Sequence, residues 1–227
     1  MPERIKMIVT EVTIYSVDRC VAGWDYEKDR MVRPEPGPAK FWPAIFCGKQ
    51  STFHPGHLVS FDAEEPDTDL PHRNEDRVII PNSLTEHGAG GSDLFRAACV
   101  KSLSHGPSQV YRDYLHFQGD KAFVPKGSDC GSLCALDLPV SDVSLLVETD
   151  MNGKEKLRAR LPVLGRILNL SIAAKDLKQA FKNSGGLVAA NALLANASSF
   201  HVRLGLAREM NGDGKCYLQI NGIYPVA

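Results

Sequence analysis

Three β-branched, apolar runs open the chain, separated by turns of only a few residues, and they restrict it to a strand-rich, antiparallel fold. The runs are 7–15 (MIVTEVTIY), 19–25 (RCVAGWD) and 30–33 (RMVR), with turns at Ser16-Val17-Asp18 and Glu27-Lys28-Asp29. Strands joined this tightly must pair with their chain neighbours as a meander. Residues 34–43 (PEPGPAKFWP) hold four prolines and read as an extended loop. A further strand is expected at 57–63 (HLVSFDA), and the apolar run 78–80 follows an acidic, proline-containing loop. Five short strands within the first third of the chain describe a small closed or partly closed barrel.

The middle reads differently. Residues 87–92 (HGAGGS) are glycine-rich, and Asp93 is placed to cap a helix through Leu94, Phe95, Ala98 and Leu103. From 106 to 129 the signals are mixed. The strand pattern then returns at 133–138, 143–149 and 154–161, the last two joined by an Asn152-Gly153 hairpin signal. Helices are expected at 173–181 and 187–197, and a closing hairpin pairs 200–209 with 215–223. The fold expected is mainly β with a few short helices: two small barrels in tandem. The first spans 1–85, a connecting segment with a helix 86–130, and a second barrel with inserted helices 131–227.

Composition narrows the functional classes. No apolar run approaches the roughly 18 residues of a membrane span. The start, MPERIKM, is too polar for a secretory leader. A soluble, cytoplasmic protein with no membrane partner is expected. The six cysteines are scattered, which fits a reducing compartment better than a disulfide framework. Cys47, His54 and His57, or Cys130 with Cys134, lack the paired short spacings of a zinc site, so no metal or other cofactor is expected. Charge cancels overall at −1 but not locally: residues 1–130 carry 15 basic and 19 acidic side chains, residues 131–227 carry 11 and 8. Binding to phosphates therefore belongs to the second half.

The most informative segment there is 154–161 (KEKLRARL). Alternate residues of a strand share a face. Leu157, Ala159 and Leu161 point inward, leaving Lys154, Lys156, Arg158 and Arg160 as one basic row. The row would track phosphates, or, on the other reading, it guards an exposed edge against aggregation. In the closing hairpin the same alternation turns His201, Arg203, Tyr217 and Gln219 outward, a stacking and hydrogen-bonding mixture suited to single strands. A separate concentration lies in the first half. His72, Glu75 and Asp76 cluster beside a strand, and Arg19, Arg30 and Arg33 add guanidinium groups that could hold a small nucleotide. A structural corner explains the same cluster. No P-loop, GxGxxG, HExxH, GxSxG or CxxC pair occurs, so no catalytic residue is assigned; a metal-dependent role for His72, Glu75 and Asp76 is the one enzymatic option.

Several of these short motifs together resemble the prokaryotic dual OB domain-containing proteins. They are RCVAG at 19–23 with VRP at 32–34, Pro71-His72 with Glu75-Asp76, RLGLAR at 203–208, and CYLQINGIY at 216–224. The resemblance spans nearly the whole chain and implies two OB-like barrels with a nucleic-acid- or nucleotide-binding role; fold alone does not fix function. The expected function is non-catalytic binding of single-stranded DNA or RNA. A small-nucleotide sensor, or an adaptor that binds no nucleic acid, is the alternative.

Overall fold

The computed structural model describes residues 2–38, 40–48, 50–67, 74–209 and 212–226. His72 lies outside them. The chain is mainly β with four short α-helices. The meander forms as its turns require: β1 (Glu3–Tyr15), β2 (Asp18–Asp25) and β3 (Arg30–Glu35) pair antiparallel in order. β4 (His57–Glu64) returns along the first half of β1, and β5 (Asp76–Ile79) joins β4 on one side and β3, in parallel, on the other. The pairings therefore close a ring, β1-β2-β3-β5-β4-β1. A register shift in β1 between Val9 and Glu11 supplies the bend that lets one strand serve two edges. A short β6 (Thr85–Ala89) lies on β4 beyond the ring.

The second half repeats this connectivity. β9 (Leu133–Pro139) runs through one 3₁₀ turn into β10 (Ser144–Thr149), and the two together play the part of β1. β10 pairs with β11 (Glu155–Val163), β11 with β12 (Arg166–Ile172), and β12 in parallel with β14 (Lys215–Val226). β14 pairs with β13 (Ser199–Leu206), and β13 returns to β9. Both halves thus have the same order, including the parallel third-to-fifth pairing, and both are OB-like barrels. In the second, α3 (Lys175–Ala180) and α4 (Gly186–Ala192) sit between the third and fourth strands. Each ring encloses its own apolar core, around Ile5, Val21 and Phe61 in the first and Leu161, Leu170 and Ile220 in the second.

Several elements were not legible, β12 and those between the barrels among them. β12 follows a two-residue turn in which Leu164 and Gly165 both have positive φ, at 48° and 75°. That backbone suits a hairpin, but leucine is not a residue that announces it. Between the barrels, α1 (Gly91–Ser102) and α2 (Pro107–Tyr111) precede a small hairpin, β7 (His116–Gln118) and β8 (Lys121–Pro125), which is added to β14 rather than left as a connector. Asp93 lies in the first turn of α1, but Gly90 is the N-cap and no side chain caps the helix.

The barrels are docked by buried charge. Arg203 of β13 is fully buried against Glu11 of β1 (Nη2 to Oε1, 3.0 Å) and donates to Ser102 Oγ at 2.6 Å. Arg33 pairs with Asp76 at 2.8 Å and donates across to Ser132 Oγ at 2.8 Å. Glu75 accepts from the backbone N–H of Ser132 at 2.7 Å and from its hydroxyl at 3.0 Å. Arg208 joins Glu35 and Asp76 from the second barrel.

Candidate nucleic-acid interface on the second barrel

β11 alternates as its sequence requires: Leu157, Ala159 and Leu161 are buried in the core, and Lys156, Arg158 and Arg160 lie on the outer side. Lys154 precedes the strand and is exposed. The row is less uniform than a bare basic stripe. Arg158 is only 9% exposed, because its Nε reaches Glu148 at 2.5 Å and its Nη1 donates to the Asn169 carbonyl at 3.2 Å. Lys156 is paired with Asp150 at 3.0 Å. Lys121, Lys154, Arg160 and Lys182 have no ion-pair partner among the described residues.

Register joins this row to the closing hairpin. Arg158 stands opposite Ser171 of β12, and Ser171 opposite Gln219 of β14. Two residues before Gln219, Tyr217 stands opposite Phe123 of β8. Arg158, Asn169, Ser171, Tyr217 and Lys121 consequently line one depression of about 330 Å³. The rings of His116, Phe123 and Tyr217 follow one another at 5.6 and 5.9 Å between centroids, all at least partly exposed. Lys215 Nζ lies 4.7 Å from the Phe123 centroid, within cation–π range. Tyr217 Oη donates to Asp213 at 3.1 Å, which leaves its ring face available.

A second depression of about 280 Å³ shares Ser171 and lies at the start of β11, lined by Lys154, Glu155, Lys156, Lys178, Lys182 and Phe181. Burial holds the Lys178 ammonium below the ordinary lysine value, and the neighbouring Lys182 and Lys154 charges add to this. An anion placed there would relieve that repulsion.

His201 and Arg203, expected on the outer hairpin surface, are not there. Every residue of β13 from Phe200 to Leu206 is buried, because the first barrel and the end of α1 cover the side that would otherwise face solvent. His201 is 3% exposed and its Nδ1 donates to the Asp137 carboxylate at 2.7 Å. Burial, with Arg203 adjacent, pulls its imidazole down to about 4, so it is neutral at pH 7. Neither residue can meet a base.

The alternative cluster is dispersed in the same way. Arg33, Glu75 and Asp76 are buried in the seam between barrels. Arg30 pairs with Glu3 at 2.6 Å, and Arg19 donates to the carbonyls of Val17 and Asp18, both at 2.9 Å. The three guanidinium groups do not converge on one ligand. No group of three His, Cys, Asp or Glu side chains among the described residues is arranged to hold a metal.

The residues that sequence reasoning missed are those of the β7–β8 hairpin, Asn169 and Ser171 of β12, and Lys178 and Lys182 in and just after α3. A signal was present: His116-Phe117-Gln118 and Lys121-Ala122-Phe123 flank Gly119-Asp120, a two-residue turn with φ of 60° at the glycine. No helix among the described residues is long and apolar enough to cross a membrane. Neither a protein-family model, a curated protein nor a solved structure matches this chain.

Proposed function

We propose that the outer face of the second barrel, β11-β12-β14 with the β7–β8 hairpin, binds single-stranded nucleic acid without catalysing a reaction on it. One observation carries this reading: Arg158 and Tyr217, far apart in sequence, line a single depression beside Phe123 and Lys121. Bases stack on exposed aromatic rings whatever their identity, while lysines and arginines follow the phosphates. This is also the face an OB-like barrel uses for oligonucleotides. A duplex hides its bases and would leave Tyr217 and Phe123 idle, so single strands are preferred.

Fluorescence anisotropy with labelled single-stranded DNA, single-stranded RNA and duplex, each at several salt concentrations, tests the reading. Four unpaired cations contacting four phosphates give a log–log salt slope of about −3 for a single strand. Lys154→Glu combined with Arg160→Glu is expected to lower the slope by about 1.4 and weaken binding by at least an order of magnitude. Both side chains are exposed, so urea unfolding should shift by no more than about 0.5 kcal/mol. Tyr217→Ala should weaken binding with the salt slope unchanged, since it removes stacking and no charge. Flat anisotropy for all three probes at low salt would refute the assignment.

A further inference from the structure

Where β13 ends, residues 206–209 cross in front of the first barrel, and between them and β1–β3 lies a cleft of about 290 Å³. This is near the lower bound of small-molecule sites. Its apolar wall is a pair of stacked rings, Tyr15 and Phe41, with centroids 4.6 Å apart and planes inclined by 25°. The Arg208 guanidinium lies 5.6 Å from the Phe41 centroid. The opposite wall is polar, with Gln219 Nε2 donating to Asn221 Oδ1 at 3.1 Å. Asn221 can lie there because Gly205 has no side chain: a Cβ at that position would come within 2.2 Å of its Nδ2.

Charge decides what the cleft accepts. Both arginines at its edge are already matched, Arg33 by Asp76 at 2.8 Å and Arg208 by Asp76 at 3.0 Å and by Glu35. No surplus positive charge remains to attract a phosphate. Glu209 lines the cleft as well, and its Oε1 is shielded from solvent with no hydrogen-bond partner. A shielded carboxylate oxygen without a donor is costly, and a turn of the half-buried side chain would present it to a ligand N–H. The cleft thus combines stacking surface, side-chain amides and a vacant acceptor.

We infer that the inter-barrel cleft is a pocket for a single nucleobase bearing an exocyclic amino group, packed against the Tyr15–Phe41 pair and donating to Glu209. This site is separate from the basic face and does not depend on it. The base could belong to a free nucleoside or to a strand lying on that face, since Gln219 in the cleft is two residues along β14 from Tyr217.

Isothermal titration of the whole protein with adenosine, cytidine, guanosine and uridine tests it, because nucleosides carry no phosphate. Saturable binding is expected for the three amino-bearing nucleosides, with uridine weaker by roughly tenfold. Phe41→Ala should weaken binding roughly tenfold, and Glu209→Met, which leaves no acceptor, should remove the preference over uridine. Lys154→Glu with Arg160→Glu should leave nucleoside affinity unchanged, so failure of the basic face and failure of the cleft are told apart. An oligonucleotide that displaces the nucleoside marks a strand base as the source; undisturbed binding marks the free nucleoside. No saturation with any nucleoside up to roughly 10 mM, or binding indifferent to Phe41→Ala, would overturn the inference.

Discussion

Arg203→Met is expected to destabilise the protein by about 3–5 kcal/mol, the cost of stripping a buried charge of its partner. Glu11 is 1% exposed and one of its oxygens, Oε2, already has no hydrogen-bond partner. Removing the guanidinium takes away both donors to Oε1, at 3.2 and 3.0 Å, and leaves Ser102 Oγ with only its hydrogen bond to the Cys99 carbonyl. Methionine fills much of the volume, so the loss reports charge rather than a cavity. Adding Glu11→Gln to Arg203→Met should recover a large part of the loss, because the stranded group is then neutral. Urea unfolding of the two single variants and the double variant forms the cycle. The pair ties β1 of one barrel to β13 of the other, so Arg203→Met should also broaden unfolding or split it into two transitions. An unchanged midpoint would mean that the barrels are held by their other contacts alone.

That pair also explains where sequence reading stopped. The ring strands of the first barrel were legible because they are β-rich and bounded by turn residues. The ring order follows from the meander once β4 and β5 return. β12 was hidden by a Leu164-Gly165 turn, and β7–β8 by its position in a segment of mixed signals. The error at His201 and Arg203 has a different source. Alternation shows which residues avoid a strand's own core, but not whether a second barrel covers the other side. The signal for that cover lay in the partner strand: Glu11 sits inside the apolar run MIVTEVTIY. A carboxylate in a strand buried on both faces requires a buried cation elsewhere in the chain. The basic row of β11 could be read from its own period, whereas its junction with Tyr217 depends on the parallel β12–β14 pairing, which joins residues distant in sequence.

The seam also makes stability depend on pH through two groups of opposite sign. Burial pushes the Glu75 carboxyl up to about 7, against the pull of Arg33 and the Ser132 donors. The native state then holds a proton that the unfolded chain has released above its ordinary 4.5, so Glu75's contribution is complete below 4.5 and is lost as pH rises to 7. His201 does the reverse. Its imidazole is held down to about 4, so its contribution is complete above 6.5 and is lost as pH falls toward 4. The two windows overlap, and the wild-type curve between them is expected to be nearly flat. Glu75→Gln keeps the acceptor for the Ser132 and Leu133 N–H groups, at 2.7 and 3.3 Å, and removes the titration. Its stability relative to wild type should therefore improve by about 3 kcal/mol between pH 4.5 and 7. His201→Gln should uncover the opposite slope, a decline with rising pH. Urea midpoints of the three proteins across pH 4 to 8 separate these cases. A Glu75→Gln difference constant with pH would show that Arg33 and the Ser132 donors keep the carboxylate ionised throughout, with burial the weaker effect.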